Sequence, residues 1–203
     1  MKLSHILYKV NTLEEGVEAF RKKGFYVEYG SRDRPHNALI YFSEGPYIEL
    51  LAKAPISSFA RIILKCIGKK KVVDRFHFWE VQKEGFFSIC LENYKTHFNT
   101  EKVILKKFDQ KFFITKSQRK DPFGRLLKWK LLFPYELKIP FFMTYFNINP
   151  KPKDAVHPNG IKKVQRVSFG TDEGLIPIIN QLCDDDTLEL HVGSGIHKVT
   201  YEK

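Results

Sequence analysis

The stretches LSHILYKV (3–10), TLEEGVEAFRKKG (12–24), FYVEY (25–29), NALIYF (37–42) and YIELLA (47–52) decide the fold of this chain. Leu3–Val10 reads as a strand. Thr12 has the character of a helix N-cap, and Glu15 three residues later completes a capping box. Leu13, Val17 and Phe20 form the apolar stripe of the helix. Arg21, Lys22 and Lys23 suit its C-terminal dipole end, and Gly24 its stop. Phe25–Tyr29, Asn37–Phe42 and Tyr47–Ala52 read as strands, parted by turns at Gly30–Pro35 and Ser43–Pro46. The order over these residues is β-α-β-β-β.

A second, looser copy of that order starts at Gly85. Phe86–Glu92 is a strand, Tyr94–Glu101 a short helix or turn, and Lys111–Lys116 and Arg125–Phe133 alternate like half-buried strands. Pro140–Asn147 closes the set. Between the copies, Phe59, Ile62, Ile63, Cys66 and Ile67 give residues 56–82 a helical stripe followed by a basic run. Such a stretch could lie on a membrane surface, but the simpler expectation is a helix covering a sheet edge with a solvated basic face. Asn149–Gly160 reads as a linker. The strands and helix beyond it form a β-α-β-β extension, with Gly193-Ser194-Gly195 as a hairpin turn between its last two strands. The expected class is α+β: paired βαβββ modules forming a cupped, mostly antiparallel sheet. The boundaries are 1–54 for the first module, 55–84 for a helical connector, 85–148 for the second module, and 149–203 for linker and extension.

With 43% hydrophobic and 14% aromatic residues, the 203-residue chain can bury a core and does not read as disordered. Lys2, His5 and Lys9 interrupt any N-terminal apolar run, so a signal peptide is not expected, nor does a membrane-spanning stretch occur. Three widely spaced cysteines without a CxxC argue against a disulfide framework or structural zinc, and for a cytoplasmic location. The net charge of +11 suggests polyanions, but residues 1–60 are nearly balanced, with eight Lys/Arg against seven Asp/Glu. The excess lies in 61–75 and 102–130, so no specific nucleic-acid or membrane partner is expected. Glycine-rich phosphate loops, GxSxG and HExxH are absent from the sequence.

Two polar residues sit inside apolar strands. His5 is flanked at two-residue spacing by Leu3 and Leu7, and Glu49 by Tyr47 and Leu51. Strand alternation places each on a face with its apolar neighbours. A carboxylate there is costly unless paired, hydrogen-bonded or metal-bound. Imidazole and carboxylate together suit Zn²⁺, Fe²⁺, Mn²⁺ or Ni²⁺. The plainer alternative is a hydrogen-bonded core histidine and a Glu49 paired with a nearby base.

His5, Lys23-Gly24-Phe25, His36 through Phe42 and Tyr47-Ile48-Glu49-Leu50 resemble the glyoxalase-like branch of the vicinal-oxygen-chelate superfamily. Pro140-Phe141-Phe142 and His157-Pro158-Asn159-Gly160 continue the likeness, which spans residues 3–170. It implies a cup lined by the first and last strands of each module. In catalytic members these strands offer a His or Gln and a Glu apiece to one divalent metal. Carried over, His5 and Glu49 are metal ligands, and Glu49 is also the candidate catalytic residue. Asn37, His36 and Tyr47 are candidate substrate-binding residues; Tyr8, Tyr41, Phe141 and Trp129 are candidate walls. The second module departs from the pattern, offering Ser88 or Cys90 and then Met143, Thr144 or Tyr145. Water, substrate or a side chain such as His36, His77 or His97 would have to complete the shell. The leading expectation is a divalent-metal-dependent lyase, isomerase, transferase or dioxygenase for a small oxygen-chelating substrate. The alternative is a metal-free small-molecule binding protein using the same cup, and a distant third is a basic nucleic-acid or membrane-surface adaptor. A homodimer is compatible with each.

Overall fold

The computed structural model describes residues 1–152 and 155–203; Lys153 and Asp154, within the expected linker, lie outside the described residues. The first module comprises β1 (Lys2–Lys9), α1 (Leu13–Lys22), β2 (Glu28–Tyr29), β3 (Asn37–Ile40) and β4 (Tyr47–Leu51). Two helices follow, α2 (Ser58–Cys66) and α3 (Lys70–Glu80). The second module comprises β5 (Gly85–Asn93), α4 (Asn99–Lys107), β6 (Phe112–Lys120), β7 (Leu126–Pro134) and β8 (Phe141–Thr144). The extension is β9 (Lys163–Thr171), a 3-10 turn, α5 (Ile176–Leu182), β10 (Leu188–Val192) and β11 (Gly195–Glu202).

Local chemistry accounts for most boundaries. The Glu15 N–H donates to Thr12 Oγ1, whose own hydroxyl donates to Glu15 Oε2 at 2.8 Å. Gly24, at φ +79°, supplies the left-handed stop of α1. The connector breaks in two at Gly68, also left-handed. α4 starts later than its sequence suggests because Asn93 holds the preceding turn: Oδ1 accepts from Lys95 N–H, and Nδ2 donates to His97 O and Glu101 Oε1.

The two modules form one eight-stranded sheet, ordered β2-β3-β4-β1-β5-β8-β7-β6. β1 and β5 pair antiparallel at its centre, and each runs parallel to the last strand of its own module. The paired βαβββ, mostly antiparallel α+β architecture is therefore present. One face, with Ile6, Ile48, Leu50, Ile89 and Phe142, packs into the main core with residues of α1, α4 and α5. The alternate residues Leu7, Leu51, Cys90, Phe133 and Phe141 line the other, inner face. The sheet curls until its edges approach: Arg119 on β6 donates to the Gly30 carbonyl beside β2.

The extension adds a separate sheet in the order β10-β9-β11. Gly193-Ser194-Gly195 is thus not a hairpin turn, because β9 lies between the strands it joins, parallel to one and antiparallel to the other. The chain crosses over the end of β9 at Gly170, where a Cβ would stand 2.5 Å from Ser194 N. A side chain at 170 would block the crossing.

Arg75 on α3 is 1% exposed, and its guanidinium donates to the carbonyls of Pro134, Glu136 and Ile139 at 2.8, 2.7 and 3.1 Å. Burial pulls its pKa down to about 10, which leaves it charged at neutral pH. These bonds clamp α3 to the β7–β8 connection. Arg75→Met takes the donor from the buried Pro134 and Ile139 carbonyls, whereas the Glu136 carbonyl keeps the Ile139 N–H, and urea unfolding is expected to show a loss of about 2 kcal/mol or more. A loss within experimental error would show that the clamp contributes nothing.

Candidate functional site

The site begins with an irregularity in β1. Leu3 pairs with Leu91 but His5 with Cys90, so Ser4 is the extra residue of a β-bulge. Leu3 joins the main core, while His5 and Leu7 border the cavity. The expectation that Leu3, His5 and Leu7 share one face is corrected by that bulge. It also turns Ser4 toward Glu92 and Met143.

The His5 ring stacks on Tyr47 at 4.7 Å and meets Phe141 edge-on at 5.6 Å. Its Nε2 lies 3.2 Å from Glu49 Oε2, and its Nδ1 3.1 Å from Ser4 Oγ. Ser4 Oγ is 2.8 Å from Glu92 Oε2, and Asn37 Nδ2 donates to Glu49 Oε1 at 2.7 Å. Asn37 can take this position because residue 30 is glycine; a Cβ there would collide with Asn37 Oδ1. The Glu49 side chain keeps 16% exposure against 4% for His5, so the carboxyl is the more accessible of the pair.

Burial lowers the His5 pKa to about 3. Burial raises that of Glu49, against the opposing pulls of the Asn37 hydrogen bond and the Arg119 charge. Glu92 is raised by burial too, opposed by Ser4 and Lys151. The pair is therefore a neutral imidazole beside a carboxyl whose ionisation burial opposes. When one proton is shared between Glu49 and Glu92, hydrogen-bond accounting gives two arrangements. In one, Glu49 O–H donates to Nε2, Nδ1–H to Ser4, and the Ser4 hydroxyl to the Glu92 carboxylate. In the other, every donor is reversed and the proton rests on Glu92. The chain Glu49–His5–Ser4–Glu92 can thus pass one proton between the cavity and the far side of β1.

The cavity measures about 620 Å³. Glu49, Asn37, His36 and Arg119 contribute polar groups, whereas Phe76, Trp79, Phe113, Trp129 and Phe133 contribute aromatic surface. Tyr47, Phe141 and Trp129 line it as expected of them. Tyr8 does not: it packs against Phe20 and Phe86 on the opposite face. Tyr41 is likewise buried, beside Tyr47 and away from the lining. His157 and Asn159 bind Tyr26 N–H and the Lys23 carbonyl, bracing the end of α1. Sequence reasoning missed Ser4, Glu92 and Arg119; Arg119 carries no local signal, since only the curl brings β6 to the rim.

The second module decides the metal question of fit. His5 pairs with Tyr47, and Glu49 follows two residues on; Cys90 pairs with Phe141, and Met143 follows two residues on. Cys90 and Met143 thus replace the expected second His or Gln and second Glu. Burial, with Glu92 and Glu49 adding to it, pushes the Cys90 thiol up and keeps it protonated, a poor ligand. His77 is exposed on α3 and His97 borders a different depression. Among the described residues no three His, Cys, Asp or Glu side chains gather closely enough to hold an ion. Two donors set 3.2 Å from each other do not fit the four-donor site that the resemblance implies.

Residues 3–174 match the family model of the glyoxalase-like domain. The chain belongs to this family, within the vicinal-oxygen-chelate superfamily. A hypothetical protein from Staphylococcus aureus shares the fold, with a TM-score of 0.64 at 18% identity over 96% of this chain and 87% of that one. A xylose isomerase-like TIM barrel/4-hydroxyphenylpyruvate dioxygenase fusion protein aligns at a TM-score of 0.47 and 10% identity, over 98% of this chain and 36% of that one. No curated protein matches the chain.

The buried imidazole has a measurable consequence. Its folded pKa of about 3 lies below the ordinary 6.5, so its contribution is full above pH 6.5 and is lost as pH falls toward 3. The slope is at most about 1.4 kcal/mol per pH unit. Glu49 and Glu92 act oppositely, their contribution being present below about pH 4.5 and lost as pH rises through their raised values. Urea unfolding from pH 7 to 4 should therefore show the advantage of wild type over His5→Gln shrinking steadily in acid. A constant difference would mean that His5 takes up its proton in the folded state as readily as in the unfolded one.

Proposed function

We propose that the cup binds a small molecule with a largely apolar body and a single hydrogen-bonding or anionic head, and that it does so without a metal. The observation that carries this is the composition of one cavity. Aromatic side chains line it together with Glu49, Asn37 and Arg119. Its size suits a compact organic ligand. The body would lie against Trp79, Trp129 and Phe133, with the head toward Glu49 and Arg119. His36 and Tyr47 would border the head, and the His5 ring would hold the Glu49 carboxyl in place. The free cysteines, of which Cys66 is exposed, fit a reducing compartment such as the cytoplasm.

A second reading is favoured by the Glu49–His5–Ser4–Glu92 chain: proton transfer to or from the bound molecule, as an isomerase or lyase requires. Glu49 would be the group in contact with the substrate, and Glu92 the store for its proton. The metal-dependent version of that chemistry needs two further donors, which substrate or water would have to supply.

The only two tryptophans of the chain, Trp79 and Trp129, both line the cavity, so intrinsic fluorescence reports its occupancy. Titration with medium-chain fatty acids and aromatic carboxylates is expected to give saturable, one-to-one quenching that EDTA leaves unchanged. Leu131→Lys, which sets a charge in the apolar wall, should abolish it. Arg119→Ala should weaken acids about tenfold while sparing their neutral analogues. Quenching that appears only with added Zn²⁺, Fe²⁺, Mn²⁺ or Ni²⁺ would replace this proposal with the metal-dependent one.

A further inference from the structure

α2 has apolar side chains on two sides. Ala60, Ile63 and Leu64 line the cavity, so the helix forms part of its wall. Phe59 and Ile62 point elsewhere and, with Ile67 at the C-cap, are 72%, 60% and 59% exposed; Ile63 itself is 43% exposed. The spacing 59, 62, 63 puts three of these on adjoining positions of one helical surface. α2 buries none of its residues fully. The structure thus departs from the expected helix that covers a sheet edge and shows solvent only its basic side. Four large apolar side chains on so short an element are more than the scattered surface hydrophobics of ordinary domains.

The charges around them indicate what covers them. From Ser58 to Val73 the sequence holds Arg61, Lys65, Lys69, Lys70 and Lys71 and no acidic residue. Arg61 is neutralised by Glu80, and Lys69 lies over the Phe113 ring, which leaves Lys65, Lys70 and Lys71 exposed. A two-fold contact between copies would bring this unbalanced basic segment against itself. Apolar tips among lysines instead match the headgroup boundary of an anionic bilayer, where the tips enter the acyl region and the ammonium groups stay with phosphates. No described helix is long and apolar enough to cross a membrane, and α2, at nine residues, would lie in the interface plane.

We propose that α2 docks this protein on anionic membrane surfaces through Phe59, Ile62 and Ile67, with Lys65, Lys70 and Lys71 drawing it there. The docked helix is also a wall of the cup, so docking sets the cavity beside the lipid. The docking stands on the α2 surface alone and holds whatever the cup binds.

Cys66 on the same helix is exposed, Cys90 is buried and Cys183 is half-buried, so in a Cys183→Ser background an environment-sensitive dye on Cys66 reports the surface. The probe is vesicles of phosphatidylcholine with about one-third phosphatidylserine, against phosphatidylcholine alone. Expected is a blue shift and co-sedimentation with the anionic vesicles. Binding should fall on the order of 100-fold in Lys65→Glu/Lys70→Glu/Lys71→Glu, at about fivefold for each cation. It should fall at least about tenfold in Phe59→Ser/Ile62→Ser/Ile67→Ser. Both triple variants alter exposed side chains, and unchanged thermal unfolding and tryptophan emission would verify their folding. Three results overturn the proposal: no binding to anionic vesicles at low salt; undiminished binding by the apolar variant; or soluble polyglutamate competing as well as vesicles. A dimer lost in the apolar variant, with no vesicle binding, would assign the surface to self-association instead. Failure of ligand binding in the cup would leave each of these outcomes unchanged.

Discussion

The antiparallel pairing of β1 with β5 is the constraint from which the cup follows. It joins two βαβββ modules along their first strands and makes one continuous sheet of them. Each first strand also runs parallel to the fourth strand of its own module, so four strands meet at the floor of the cavity. The bulge at Ser4 belongs to this pairing. Were β1 regular through Ser4, strand alternation would carry His5 to the helix-covered face with Leu3.

A polar chain in such a place is costly unless every member finds a partner. Asn37, Glu49, His5, Ser4 and Glu92 satisfy one another in sequence, drawn from β3, β4, β1 and β5. Tyr47 and Phe141 hold the His5 ring on two sides, so its nitrogens can turn little without breaking both contacts. Rigid aromatic packing thus does for the imidazole what a metal does in a chelate: it fixes the direction of both nitrogens. The two halves of the floor differ accordingly. The first module supplies an acid and a base, and the second supplies Cys90, Phe141 and Met143, which pack.

Much of the architecture was legible because its signals are local. Thr12 with Glu15, the stripe Leu13–Val17–Phe20 and the Gly24 stop each act within a few residues, and the structure keeps all of them. Errors arose where a specific side-chain bond or a distant contact overrode the local pattern. Asn93 delays α4, β9 intrudes between β10 and β11, and Tyr8 and Tyr41 turn away from the cavity. Of the site, His5, His36, Asn37, Tyr47 and Glu49 were all nameable, because polar residues within or beside apolar strands stand out, and all five border the cavity. Ser4 and Glu92 were not nameable, since a serine and a glutamate at strand ends look like ordinary solvated residues.

By itself the sequence determined the two modules, the order of their elements and the polar residues that stand out in apolar strands, since periodicity, caps and turn residues are properties of neighbours along the chain. Only the tertiary structure decided how those residues act. The His5–Glu49 contact joins residues on two different strands, and the Ser4 bulge exists only in the register with β5. Arg119 reaches Gly30 only through the curl of eight strands. The exposure of Phe59, Ile62 and Ile67 was equally invisible, because a helical stripe does not say whether its apolar side meets a sheet or the solvent. Each of these depends on what packs against what, and that is fixed only when distant segments come together.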